Sequence, residues 1–126
     1  MNIFVLDESP RVAATMLCNQ HVTKMTVETT QMLATVLIRH GVSDDVLRRF
    51  GVVTKAGHPY QRSHLSHPCV MWAMSSRKAF DWLLTHGLAL ATEYAYRFKK
   101  THACLGPMLG CGLIAEAGLM EKPLKH

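Results

Sequence analysis

Several things are scarce or missing in this sequence. Aromatic residues make up 7% of its 126 residues and prolines number five. The four cysteines (Cys18, Cys69, Cys104, Cys111) have neither the spacing of a disulfide framework nor a CxxC pair, so free thiols are expected. No apolar run approaches the roughly 20 residues that cross a bilayer, because Asp, His, Lys or Arg interrupts every stretch. No membrane partner is therefore expected. Gly-rich phosphate loops, GxSxG elbows, dinucleotide fingerprints and HExxH helices are all absent, which argues against the enzyme classes built on them. Internal repeats are absent too, which argues against a solenoid. The opening MNIFVLDESPR has no basic stretch followed by a signal-type apolar segment, so a cytoplasmic setting is expected.

What is present is a chain with 48% hydrophobic residues, enough to bury a core as one domain over residues 1–126. Eight methionines suit an adaptable core or surface. The net charge is +5 with the eight histidines neutral. Its cations gather at Arg48/Arg49, Lys55 to Arg62, Arg77/Lys78 and Arg97 to Lys100. Such patches suit DNA or a nucleotide as partner.

The periodicity is helical almost throughout, so the expected fold class is all-α, with one short strand at most over residues 2–6. Ser9-Pro10 starts a helix, with Ser as N-cap and Pro at the first position. Helical sequence then runs to about Arg39, with a break near Asn19, and His40-Gly41 ends it. Ser43 caps a short helix over 44–50. Residues 51–67 form the only long irregular segment, and a loop of that length often carries function. Pro68 reopens helical sequence, and Ser75-Ser76 separates it from a long core helix over 77–100. Phe80, Leu83, Leu84, Leu88, Ala91, Ala95 and Phe98 form the apolar stripe of that helix. Trp82, His86, Glu93, Arg97 and Lys100 share its other face. Gly87 inside it marks close helix packing. The tail, 104–126, has weak periodicity, with a short helix near 113–119 at best.

The most informative pattern lies on the first long helix. His21, Lys24, Glu28 and Gln31 fall within roughly 80° of one another on the helical wheel. Cys18, Val22, Met25, Met32 and Val36 form the apolar stripe beside them. Two readings stand. One is a cleft wall with Glu28 as general acid or base and with Lys24 and His21 to tune it. The other is a solvated Lys24–Glu28 ion pair with a surface histidine. Lys24 is either a nucleophile or the counter-ion of Glu28.

Further candidates lie downstream. His64, Ser66 and His67 precede a helix start at Pro68, where they either hold a phosphate or cap the helix. Arg62, Arg97, Lys100 and His102 are candidates for backbone phosphates. Glu93 and Arg97, four residues apart, also read as a structural pair. Tyr60 is placed to stack or wedge between bases, whereas Trp72 and Trp82 read as core before platform. His58, His64, His67 and Cys69 are close in sequence but lack a zinc-site spacing, so no metal and no other cofactor is expected.

The segment NQHVTKMTVETTQML (19–33) resembles the first helix of the pyrimidine-dimer DNA glycosylases, the T-even phage endonuclease V family. There a Gln-His pair precedes the catalytic Glu, as Gln20-His21 precedes Glu28 here. A second stretch, 67–98, resembles the family's later pattern of a His-led apolar turn and a long amphipathic helix. Here the ends of that pattern are Glu93, Arg97 and Phe98. Over residues 1–102 the chain is also similar to small bacteriophage proteins with an MNIFV-D-P opening and a D-K-H-V-K-M-E-Q helix. The resemblance implies a DNA N-glycosylase acting in a phage-infected cell, with Glu28 catalytic and His21 and Lys24 beside it. Gln31, Tyr60, Arg62, His64, His67, Arg97, Lys100 and His102 would then hold the substrate. The family's nucleophile is a free N-terminal amine. Here Asn2 disfavours removal of Met1, Val27 stands before the Glu, and the closing EKPLKH carries no aromatic. The alternative is a non-catalytic phage accessory protein binding nucleic acid or a host protein. It requires Glu28 and Lys24 to be solvated and to face no pocket.

Overall fold

The computed structural model describes residues 9–15 and 18–125. Six helices follow one another among them: α1 (Pro10–Thr15), α2 (Asn19–Arg39), α3 (Asp44–Arg49), α4 (Pro68–Ser75), α5 (Arg77–Phe98) and α6 (Leu105–Glu116). The described residues contain no strand, only an isolated bridge between Val53 and Pro59. The fold is all-α, as its periodicity predicts. The strand expected over 2–6 lies outside the described residues, as does the amine of Met1.

Local chemistry sets most helix ends. Ser9 Oγ accepts from Val12 N–H at 3.4 Å, Ser43 Oγ from Val46 N–H at 3.3 Å and Ser76 Oγ from Ala79 N–H at 3.0 Å. His67 caps α4, its Nδ1 accepting from Cys69 N–H at 3.0 Å, with Pro68 at the first helical position. The expected break near Asn19 is present, since α1 ends at Thr15 and α2 begins at Asn19. Gly41, at φ +89°, closes α2 in the left-handed conformation that glycine adopts without strain.

α2 is the central helix, packed against α4, α5 and α6. Its buried face is wider than the apolar stripe alone, because Thr26, Thr29, Thr30 and Thr35 are buried beside Val22, Met25, Met32, Leu33, Val36 and Leu37. Threonine is tolerated there because its hydroxyl can bond back into its own helix. Thr26 Oγ1 donates to Val22 O at 2.6 Å and Thr30 Oγ1 to Thr26 O at 2.9 Å. Cys18, assigned to the apolar stripe, is instead exposed. It is the N-cap, and its extended backbone carries the side chain off the helical face.

Gly87 is the point where α2, α5 and α6 come closest. A Cβ there would lie 2.7 Å from Met108 Sδ and 2.8 Å from Thr29 Cγ2. Two expectations about the far side of the fold are corrected. α6 covers Leu105–Glu116, well ahead of the 113–119 segment expected. Its sequence is glycine-rich, but Gly110 sits where a Cβ would be 2.2 Å from Phe50 O, so tertiary packing supplies what helix propensity does not. His86 was assigned to the polar face of α5 and is fully buried. α1 packs across that face, His86 Nδ1–H donates to Pro10 O at 3.0 Å, and the ring stacks on Trp82 at 5.0 Å.

Candidate active site

The outer face of α2 forms the floor of a cleft of about 680 Å³. Lys24, Glu28 and Gln31 line it, together with Asn19, Gln20, Thr23 and Val27 from the same helix. α5 contributes Phe98 from its last turn. His21 is exposed and is not part of this lining. Three of the four residues of the polar stripe therefore share a concavity.

Glu28 is half-buried, and its Oε2 is buried without a hydrogen-bond partner among the described residues. A carboxylate oxygen in that position carries an unmet desolvation cost until something binds to it. The expected ion pair with Lys24 is not formed among the described residues; Lys24 is exposed at the cleft edge.

The loop ahead of α4 is fastened along the last turns of α2. His64 Nε2–H donates to Gln31 Oε1 at 2.9 Å, Ser63 N–H donates to Thr35 Oγ1 at 3.0 Å, and Arg39 donates to Leu65 O at 3.2 Å. His64 holds this contact from the left-handed region, at φ +53°. Its ring meets His67 edge-on at 6.1 Å. Burial pushes the His67 imidazole below its ordinary value of 6.5 and His64 adds to this, while the charge of Glu28 opposes it. With Nδ1 accepting from Cys69 N–H, the proton of neutral His67 lies on Nε2. The structure thus brings Glu28, Gln31, His64 and His67 into one neighbourhood.

Arg62 is exposed and lines a separate cleft of about 440 Å³ with Arg39, Leu65, Ser66 and Met71. Arg39 was legible only as a basic last turn; its pairing with Arg62 depends on the path of the loop. Lys100 is exposed just past the end of α5.

Three residues assigned to substrate phosphates or bases are placed differently. Arg97 is engaged within the fold. Its Nε donates to Glu93 Oε2 at 2.6 Å, and its two terminal nitrogens donate to Asn19 Oδ1 at 3.1 Å and Thr15 O at 3.2 Å. It ties α5 to α1 and to the start of α2. His102 is buried, with its Nδ1 accepting from Cys104 N–H at 2.9 Å and its ring edge-on to Tyr94 at 4.7 Å. Burial lowers its pKa, so it supplies no cation. Tyr60 is half-buried, with Oη 3.8 Å from Cys104 Sγ, and burial raises its phenol well above the usual range. It lines an adjoining cleft of about 610 Å³ with Lys55, Tyr94 and His102 instead of projecting as a wedge.

Among the described residues, no three His, Cys, Asp or Glu side chains come together as a metal site. No helix among them is long and apolar enough to cross a membrane.

An all-helical scaffold that presents an unpartnered carboxylate in a cleft edged by a lysine defines a class of protein suited to chemistry on an anionic substrate. The particular family follows from the sequence: the family model described as pyrimidine dimer DNA glycosylase matches residues 1–105, and the chain belongs to that family. The match ends where α6 begins. No curated protein and no solved structure matches the chain.

Proposed function

We propose that this protein is a DNA N-glycosylase that cleaves the glycosidic bond of a damaged pyrimidine, with Glu28 as its catalytic carboxylate. The observation that carries this reading is the buried, unpartnered Oε2 of Glu28 on the floor of the cleft. The family supplies the substrate class. Cleaving the bond from C1′ to the base sends the electron pair out with the base and leaves an oxocarbenium-like sugar. A carboxylate beside C1′ stabilises that charge and accepts the proton of the attacking nucleophile, water in the hydrolytic case.

The surrounding residues take supporting roles. Lys24 at the cleft edge meets a flanking phosphate, and His21 lies one turn closer to the helix start. His67 sits within the field of Glu28, and the His64–Gln31 bond fixes the far wall of the cleft. Arg62, Arg39 and Lys100 meet the DNA backbone. α2 has 21 residues and so runs about 30 Å, long enough to lie along several phosphates of one strand. To reach the cleft the target nucleotide must leave the base stack. The non-catalytic reading needs a solvated Glu28, and its buried oxygen favours the enzyme.

The test pairs an ultraviolet-irradiated duplex with Glu28→Gln. The variant should lose about 10²–10⁴-fold in base release, the usual cost of removing one acid-base group. DNA binding should persist and the melting temperature should hardly move. Borohydride should trap a covalent adduct with wild-type protein if an amine attacks, and none if water does. Full activity in Glu28→Gln would remove the proposal and leave the binding-protein reading.

A further inference from the structure

Phe98 is unusual for a residue on the apolar stripe of a core helix, because it ends up 38% exposed in the cleft wall. It comes from α5, while the carboxylate comes from α2, so it faces the reacting group from a different element. Val27, 37% exposed, is a second large apolar side chain in the same wall. Exposed apolar surface beside a desolvated carboxylate is costly unless a ligand covers it.

The ring is buttressed from behind. Tyr94, one turn earlier, packs on it at 4.8 Å, and Tyr94 in turn meets the buried His102 edge-on at 4.7 Å. His102 is anchored to the N-cap of α6 through Cys104 N–H. Immediately beyond Phe98 the chain turns off the helix at Lys99, in the left-handed conformation at φ +57°, and exposed Lys99 and Lys100 flank the ring. The wall therefore combines a flat, fixed aromatic face, nearby ammonium groups, and polar edges from Gln20 and Gln31. A nucleotide has the matching parts: a planar base with a polar rim and a phosphate. An aliphatic ligand would leave the amides and the carboxylate unsatisfied.

We infer that Phe98 stacks on the base of the target nucleotide and so holds its glycosidic bond over Glu28. This inference rests on the function proposed above. It makes Phe98 a substrate-binding residue that recognises a single extruded base by its flat face, tolerating changes at the base edge. Stacking of one base on an aromatic side chain corresponds to about a 10- to 100-fold effect on binding.

The test uses Phe98→Ala, Phe98→Leu and Phe98→Trp on the full-length protein, with ultraviolet-irradiated and undamaged duplexes. The alanine and leucine variants should lose about 10- to 100-fold in kcat/KM on damaged DNA, by the same stacking estimate. Their binding to undamaged duplex should not change, and a thermal melt of each checks folding. The tryptophan variant should keep activity. Placed in the Glu28→Gln background, it should show fluorescence quenching by damaged DNA beyond that of the same protein with Phe98. A leucine variant as active as wild type, or a tryptophan variant with no added quenching, overturns the inference and returns Phe98 to packing alone. The two failures separate cleanly: an active Glu28→Gln protein sinks the glycosylase reading, whereas an inactive one with indifferent Phe98 variants sinks only the stacking role.

Discussion

Arg97→Ala decides between two roles for a residue that a sequence offers equally as a phosphate contact and as half of a helix ion pair. In the structure the guanidinium donates to the Glu93 carboxylate, to Asn19 and to the Thr15 carbonyl, with both members of the ion pair only 18% exposed. An exposed i,i+4 pair is worth about 0.3–0.5 kcal/mol. Hydrogen bonds to a charged group can reach about 1.5–3 kcal/mol each, but those sharing one group do not add, and residual solvent screens them. The net loss should therefore be about 2–3 kcal/mol, part of it from leaving Glu93 without its cation. For a domain of this size that corresponds to a fall of roughly 6–15 °C in melting temperature. Arg97→Lys keeps the charge but loses the fork, and should recover only part. The assays are a thermal melt and DNA affinity measured against salt. A melting temperature within about 2 °C of wild type, together with a salt slope lower by about one contact, would refute the structural role and restore the phosphate contact.

Other outcomes follow from the same geometry. Gly87→Ala gains up to about 1 kcal/mol of helix propensity but meets Thr29 Cγ2 at 2.8 Å, which a β-branched side chain on a neighbouring helix cannot yield. Overpacking of about 1–3 kcal/mol should win and lower the urea midpoint; a neutral or stabilised variant would show the helices can part. His67, His86 and His102 all have folded-state pKa values pushed below 6.5, burial being the largest cause of each. The unfolded chain therefore takes up protons first as pH falls. Stability should be complete above about pH 7 and decline through the range from 6.5 downward; melts that stay level from pH 8 to pH 5 would contradict this. Arg62→Ala should lower the salt slope of DNA binding by about one contact while leaving the melt unchanged, and an unaltered slope would place the DNA elsewhere.

The sequence is readable where structure is local. Ser9, Ser43, His67-Pro68 and Ser76 announce helix starts, because each cap is a bond between one side chain and a backbone group two or three residues on. Gly41 is readable as a stop for the same reason. The stripe of Lys24, Glu28 and Gln31 is readable because a helix of 21 residues fixes which side chains share a face. What a wheel cannot say is what packs on that face. His86 lay on the polar side of α5 by periodicity, and only the return of α1 across it makes it core. Phe98 lay on the apolar side, yet it reaches past the end of its neighbours into the cleft. Tyr60 and His102 were drawn inward by α6, whose glycine-rich sequence hides a helix that exists through contact with Phe50 and Val52. Arg39 meets Arg62 only because the loop doubles back along α2.

That doubling back sets a length scale. Gln31, Thr35 and Arg39 are spaced four apart, so residues 63–65 are splinted to three consecutive turns of α2. A splinted loop has spent its conformational entropy at folding and has little left to lose on association. The distance from Glu28 to the Arg39–Arg62 pair is then a fixed gauge, eleven residues of helix or about 16 Å. On a duplex laid along α2 that is about five base-pair steps, at roughly 3.4 Å each. The protein carries, in the pitch of one helix, the offset between the nucleotide it attacks and the stretch of backbone it grips.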